Sequence, residues 1–285
     1  YSLHDFARNV YDVSARNADG TPLTLTRPDP YGWTADTHGP SVTVRYKVYG
    51  DRVDGTYLSV DETHAHLNMP ATIMWARGLD DRPARLTFSR PPGVTWSLAT
   101  QLYPTGEPLA YTAPNLQYLM DSPTEFGSVV IKPFDVAGSH FRFAVHHTGD
   151  DAELTRFVKD VERVVATERE VYGEFPQYEP GRYTFIADYL PWANGDGMEH
   201  RNSTIITAAG SIRRVSHTRS DSHPIFTRIP SKGASNRNSI SGPAISRPKG
   251  TALTGSAASV RSRWMASIRL VLPLPLTPTT RMTVG

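Results

Sequence analysis

Residues 151–172, DAELTRFVKDVERVVATEREVY, decide how the chain divides. Apolar side chains recur there at the spacing of one helix face, while charged residues fill the opposite face. The apolar positions are Leu154, Phe157, Val158, Val161, Val164, Val165 and Val171. Asp150 and Glu153 form a capping pair at the start, and Gly173 followed by Pro176 marks the end. The stretch therefore predicts one amphipathic helix over 151–172.

The chain before this helix has the period of β-strands. Residues 42–48, VTVRYKV, place apolar side chains at every second position, which predicts a half-buried strand. Similar short runs follow, separated by turn-forming residues such as RPPG at 90–93. They lie at 71–76, 84–89, 95–100, 127–132 and 140–145. Short strands without intervening helices predict an antiparallel β-sandwich domain over residues 1–137.

The region around the helix has a mixed pattern. After the helix come a strand at 183–190, a loop containing glycines at 195 and 197, and a second strand at 203–207. A helix combined with strands in this order predicts that residues 138–208 begin an α+β domain.

The composition changes sharply near residue 208. Residues 209–285 contain 12 Lys and Arg against the single acid Asp221, a net charge of +11, whereas residues 1–208 carry −9. Ser, Arg, Pro, Thr and Gly dominate this tail, and prolines break its apolar run LVLPLPL at 270–276, which excludes a helix interior or a central strand. We therefore expect 209–285 to be an irregular or disordered basic tail.

Composition also limits the classes of function. The sequence has no cysteine, which excludes disulfides, thiolate metal sites and cysteine nucleophiles. No run approaches the roughly 18 apolar residues that span a bilayer, so no membrane association is expected. The compartment and the oligomeric state stay open.

The segment GMEHRNS at residues 197–203 identifies a family resemblance. It resembles the GG[LM]EHRNS stretch of peptidase family M61, the glycyl aminopeptidases of the thermolysin-like gluzincin group. YSLHDFARNV at 1–10 resembles the family's PGSY…RDFARHV opening, and DETHAHLN at 61–68 resembles its N-domain turn. VYGEFP at 171–176 resembles the helix end before its catalytic-domain strand. The resemblance covers residues 1–208.

The resemblance implies a fold and a binding site. It implies an N-terminal sandwich followed by the beginning of a thermolysin-like domain, with Glu199 holding the α-ammonium group of a peptide substrate. Gly197, Met198 and His200 complete the implied substrate-binding residues. A carboxylate suits an ammonium group, and the following strand at 203–207 can pair with an extended peptide if it forms an edge. Asp196 departs from the family, which usually has glycine there.

The catalytic site that the family needs is missing. Gluzincins bind zinc through His-Glu-x-x-His on a helix and a later glutamate. No histidine in this sequence is followed by glutamate, and Glu199 is the last glutamate. Val215, Ser216 and His217 stand where the family has VSHEFFH, but Thr218 replaces the general base. We therefore predict no catalytic residues, no metal ligands and no cofactor in this chain, and we interpret 209–285 as out of the family's reading frame and the start as cut.

Two histidine pairs have a spacing that could supply metal ligands. His64 and His66 alternate on one strand face, but the sequence suggests no third ligand, so a turn histidine pair explains them better than a metal site does. His146 and His147 precede two aspartates that helix capping explains more simply.

The sequence thus favours a segment of an M61-type zinc aminopeptidase, inactive as it stands. In the intact enzyme the resemblance implies removal of N-terminal Gly or Ala, with zinc as cofactor and a peptide amino terminus as partner. One alternative is a non-catalytic peptide-binding module that uses the sandwich and the 197–207 edge. The other is nucleic-acid binding through the basic tail, which is not expected because no known motif supports it.

Overall fold

The computed structural model of the chain describes residues 4–36, 38–212, 270–273 and 279–284, and it is mostly β-sheet. The strands are β1 (Val10–Asn17), β2 (Pro22–Leu23), β3 (Leu25–Asp29), β4 (Gly32–Asp36), β5 (Ser41–Val48), β6 (Ser59–Val60), β7 (His64–Leu67), β8 (Met74–Ala76), β9 (Ala84–Thr87), β10 (Ser97–Thr100), β11 (Tyr103–Pro104), β12 (Ala110–Ala113), β13 (Thr124–Gly127), β14 (Val130–Val136), β15 (Ser139–His147), β16 (Tyr183–Leu190), β17 (Asp196–Glu199), β18 (Ser203–Ala209), β19 (Leu270–Pro273) and β20 (Thr279–Val284). The helices are a 3-10 turn (Phe6–Asn9), α1 (Met69–Thr72), α2 (Leu116–Met120) and α3 (Asp151–Tyr172).

The strands up to β13 form a sandwich-like unit of antiparallel sheets. Their orders are β19-β5-β1-β2, β3-β4-β20-β8, β10-β13-β7-β6 and β11-β12-β9. In β5 the alternating residues Val42, Val44 and Tyr46 are buried in one continuous apolar core. The predicted sandwich is confirmed, and the residues that the period-2 pattern of β5 assigned to the inward face are the buried ones.

A second unit follows, and its single sheet, called the second sheet below, has the order β14-β15-β16-β18-β17. Its central strand β16 runs parallel to β15 and β18, and every residue of β16 is buried. Strands covered on both faces are typical of parallel sheets. The face toward α3 packs on Leu154, Phe157 and Val161 of that helix. On the other face Ala144 packs against Ala99 of β10, so small side chains let the two units approach closely.

The predicted helix is confirmed at both ends. The Asp150 carboxylate accepts a hydrogen bond from the Glu153 backbone N–H at 2.7 Å, which satisfies one of the free donors at the helix start. Gly173 ends α3 with φ 85°, a conformation that favours glycine. The predicted strand at 183–190 is also confirmed as β16.

Two of the predicted strands differ from those in the structure. The predicted strand at 127–132 divides into the end of β13 and the start of β14, and β14 pairs with β15. The sheets therefore change between Gly127 and Val130, while the domain boundary at 137 stays a prediction. The predicted strand at 71–76 is shorter than expected. Its first two residues belong to α1 (Met69–Thr72), and the strand β8 covers only Met74–Ala76.

A few residues of the predicted basic tail belong to the described part of the chain and join the fold. Ile212 is buried in the second core, β19 pairs with β5, and β20 pairs with β4 and β8. A strand that joins an existing sheet gains backbone partners that its own sequence does not reveal. Pro273 ends β19 at a sheet edge, where proline is tolerated. The rest of the basic tail, including residues 215–218, lies outside the described residues. None of the described helices has the length and apolar character needed to cross a bilayer.

Candidate functional site

The segment around Glu199 forms a β-hairpin at the edge of the second sheet. β17 runs antiparallel to β18 with Met198 opposite Ile205 and Glu199 opposite Thr204. A two-residue turn joins the strands, and the His200 N–H donates to the Ser203 carbonyl at 2.9 Å. The glycines predicted a loop here, but residues 196–199 form the strand β17. The backbone of β18 supplies a hydrogen-bonding partner that overrides their turn preference.

The free edge of this sheet differs from the predicted one. β18 lies between β16 and β17, so the strand predicted at 203–207 has partners on both sides. The outermost strand is Asp196–Glu199 itself. The short hairpin was not recognisable from the sequence because its strand has only four residues. An extended ligand that pairs with this sheet would therefore contact β17.

Backbone alternation decides which groups of β17 face outward. Residues opposite each other in an antiparallel pair alternate between hydrogen-bonded and non-hydrogen-bonded positions. Because His200 bonds to Ser203, Met198 falls on a bonded position, whereas Gly197 and Glu199 direct their N–H and C=O groups away from β18. The Gly197 N–H is held by the Asp196 carboxylate at 2.9 Å.

Side chains on this edge differ in exposure. Gly197 and Glu199 are exposed, and Met198 is half-buried. Within the described part of the chain, no hydrogen bond or ion pair engages the Glu199 carboxylate. An exposed carboxylate at the end of an edge strand can accept charge-assisted hydrogen bonds from an ammonium group.

His200 points toward the sandwich and not toward the free edge. It is 8% exposed, and its Nδ1 lies 2.9 Å from Oδ1 of Asp121. The other oxygen of Asp121 accepts the Arg201 backbone N–H at 2.9 Å. Asp121 directly follows α2, so this helix end holds the hairpin turn. The structure gives His200 this structural contact, and its binding role stays a prediction.

A buried glutamine secures the other half of the turn. The side-chain oxygen of Gln101 accepts the Asn202 backbone N–H at 2.9 Å and the Ser203 hydroxyl at 2.8 Å. Its amide donates to the carbonyl of Asp121 at 2.6 Å. Arg201 pairs with Glu179 through two nitrogens. The residues HRNS after Glu199 thus fix β17 to the sandwich.

Asp196, the departure from the family pattern, also contacts the sandwich. Its Oδ2 accepts the Thr56 hydroxyl at 3.0 Å and lies 3.3 Å from the position that a Cβ on Gly55 would take. Its Oδ1 holds the Gly197 N–H. The extra carboxylate therefore fastens β17 to the first unit and occupies one donor of the free edge.

Members of both histidine pairs, His64, His66 and His146, meet in the buried space between the sheets. His66 stands opposite Glu125 on β13, and His146 stands opposite Asp188 on β16. The ring of His64 packs on that of His146 with centroids 4.2 Å apart. The sequence suggested no third partner for His64 and His66, and the structure brings side chains from other strands beside them. Pairings between residues 59 and 42 positions apart supply the partners, and sequence spacing does not reveal such pairings.

Burial dominates the acid–base properties of this cluster. It raises the pKa of Glu125 to about 8, and together with the charge of Glu125 it raises the pKa of Asp188 to about 7. Burial and the charge of His64 lower the pKa of His146 to about 4. Burial also opposes charge on His64, but the hydrogen bond to Asp61 and the nearby carboxylates outweigh it and raise its pKa to about 9. Burial thus disfavours the charged forms of Glu125, Asp188 and His146, whereas the surrounding carboxylates favour the charged form of His64.

Comparisons with known proteins agree with the sequence resemblance. Residues 1–128 match the family model described as the Peptidase M61 N-terminal domain. A crystal structure of an aminopeptidase N family protein from Idiomarina loihiensis is similar, with a TM-score of 0.64 at 24% identity. Compared by sequence, no curated protein matches the chain.

The two matches differ in what they show. The family match confirms the resemblance to peptidase family M61 over the first unit. The structural match covers 73% of this chain and shows a shared fold. The chain spans 35% of the length of that protein.

Proposed function

We propose that this chain is part of an M61-type zinc aminopeptidase and binds the amino terminus of a peptide along β17. In this proposal residues 138–208 begin a thermolysin-like domain. The observation that carries it is the exposed Glu199 carboxylate at the end of the sheet's free edge. Gly197, Met198 and Glu199 form the binding strand, and the contacts of His200 hold that strand in place.

A peptide would bind β17 as an additional strand. The outward C=O groups of Gly197 and Glu199 and the outward N–H of Glu199 can pair with its backbone, and the missing Cβ at Gly197 lets it approach. The peptide's ammonium group would lie beside the Glu199 carboxylate. Hydrogen bonds to charged groups contribute about 1.5–3 kcal/mol each, so this contact distinguishes a free amino terminus from a blocked one.

Hydrolysis by this chain is not part of the proposal. The catalytic zinc of the family requires HExxH and a later glutamate, and the sequence contains neither. The residues present therefore do not fit that zinc site, and no hydrolytic step follows from them. What remains is the recognition of a peptide amino terminus, with Gly or Ala first in the intact enzyme.

Calorimetric titration with the tripeptide Gly-Ala-Ala and its N-acetylated form tests the binding site. We expect the free peptide to bind and acetylation to weaken binding by about tenfold to a hundredfold, the equivalent of one charged hydrogen bond. Glu199→Gln should cause a similar loss for the free peptide only. Glu170→Gln, on the exposed side of α3, is the matched control and should leave the affinity unchanged.

Two results would contradict the proposal. Equal affinity for free and acetylated peptides would remove the role of Glu199. Zinc-dependent turnover of a glycyl or alanyl chromogenic amide would show that the chain forms a catalytic zinc site without HExxH.

A further inference from the structure

Four buried side chains converge between the two sheets. They are His64, Glu125, His146 and Asp188. The sandwich contributes the first two from neighbouring strands β7 and β13. The second sheet contributes the other two from neighbouring strands β15 and β16. All four are at most 7% exposed.

Each of these side chains has a polar atom without a hydrogen-bonding partner among the described residues. The atoms are Nε2 of His64, Oε1 of Glu125, Nδ1 of His146 and both carboxylate oxygens of Asp188. An unsatisfied buried polar group costs about 1–3 kcal/mol, and folded proteins contain few of them. Five such atoms in one place indicate a ligand that would satisfy them together.

The remaining polar atoms of two of these residues are already bonded. Nδ1 of His64 lies 3.0 Å from Oδ1 of Asp61, and Oε2 of Glu125 lies 2.9 Å from Nδ1 of His66. A carboxylate behind a histidine is the usual support of a metal-bound imidazole, because it fixes the tautomer and orients the free nitrogen. His64 therefore directs Nε2 into the cluster.

The donor atoms match one kind of metal ion. Two imidazole nitrogens and two carboxylate oxygens lie within 4.8 Å of one another. In tetrahedral zinc sites ligand atoms stand about 3.4 Å apart, so modest side-chain rotation would close the set. Mixed nitrogen and oxygen ligands favour Zn²⁺ over Mg²⁺ and Ca²⁺, which prefer oxygen alone.

We propose that His64, Glu125, His146 and Asp188 bind one Zn²⁺ ion that joins the two sheets. Four protein ligands leave no open position, so this ion would be structural. The site is independent of peptide binding at β17, and it uses none of the residues that a gluzincin zinc site requires.

Metal analysis of the full chain tests this proposal. The protein is stripped with chelator, dialysed, and titrated with ZnCl₂ or MgCl₂. We expect one equivalent of bound Zn²⁺, no binding of Mg²⁺, and an increase in Tm of about 5 °C or more when free zinc exceeds its Kd a hundredfold. No bound zinc and an unchanged Tm would overturn the proposal and leave a metal-free polar cluster.

Variants locate the ion. Asp188→Asn should weaken zinc binding by more than a hundredfold, and Asp61→Asn, which removes the support of His64, by about tenfold to a hundredfold. His140→Ala removes an exposed histidine paired with Asp135 and should change nothing. Unchanged affinity in Asp188→Asn would place the zinc elsewhere.

Cobalt provides a measurement that needs no variant. Co²⁺ accepts the same ligand types, and its visible absorption distinguishes tetrahedral from octahedral coordination. We expect the strong bands of a tetrahedral site to saturate at one equivalent in the unmodified protein. An octahedral spectrum at every ratio would refute the four-ligand site. Peptide binding, measured separately, would be unaffected by either outcome.

Discussion

Replacing Gln101 should destabilise the chain far more than its size suggests. Its side chain is 1% exposed and forms its three shortest hydrogen bonds with groups of the hairpin and its support. These are the Asn202 N–H, the Ser203 hydroxyl and the Asp121 carbonyl. Gln101→Met keeps the approximate shape while removing all three hydrogen bonds, so it isolates the polar contribution from that of a cavity.

The expected magnitude follows from the buried partners. Asn202 and Ser203 are at most 2% exposed, so water has little access to their freed groups. Each unsatisfied group costs about 1–3 kcal/mol, which gives about 2–6 kcal/mol for the freed groups of these two residues. Such a loss is a large share of the roughly 5–15 kcal/mol by which domains are stable.

Urea unfolding followed by tryptophan fluorescence measures this loss. Gln101→Met should lower the free energy of unfolding by about 2–6 kcal/mol and weaken peptide binding, because β17 loses its anchor. Gln117→Ala, an exposed glutamine in α2, is the control and should stay within about 0.5 kcal/mol. If Gln101→Met also stays within that limit, the hairpin is not held by this network.

Three further substitutions test the elements around the site. Gly127→Ala would place a Cβ 2.4 Å from Cβ of His64, so we expect a loss of about 1–3 kcal/mol in urea unfolding, and an unchanged midpoint would contradict this packing. Asp150→Ala removes the cap of α3 and should cost about 1 kcal/mol in the same assay, whereas no loss would mean that the cap is dispensable. Asp196→Gly frees the Gly197 N–H and should tighten Gly-Ala-Ala binding about two- to tenfold in calorimetry, while weaker binding would show that the carboxylate helps the peptide.

Local patterns in the sequence predicted the local elements well. The helix over 151–172 has its period, its cap and its terminating glycine within the segment itself, and the structure reproduces both bounds. The strand at 183–190 is also confirmed because aromatic and aliphatic residues fill six of its eight positions. In both cases neighbouring residues carry the information.

Non-local pairing limited the remaining predictions. β17 has turn-forming residues and becomes a strand only because β18 lies beside it. β20 joins β4 and β8 from more than 200 residues away, which no pattern in the tail indicates.

The same limit applied to the candidate site. Glu199 was identified from a local motif, but Gln101 and Asp121, which hold its hairpin, gave no signal. The only hint of the proposed zinc site was the spacing of its histidines, because Glu125 and Asp188 are remote in sequence. An unusual buried acid becomes recognisable only when its neighbours in space are known.

The crystal structure of the chain with bound Gly-Ala-Ala tests the central claim most directly. We predict an extended peptide along Asp196–Glu199, with its ammonium nitrogen about 3 Å from the Glu199 carboxylate and its backbone paired with Gly197. A peptide bound elsewhere, or one along β17 whose ammonium group points into solvent, would contradict the account.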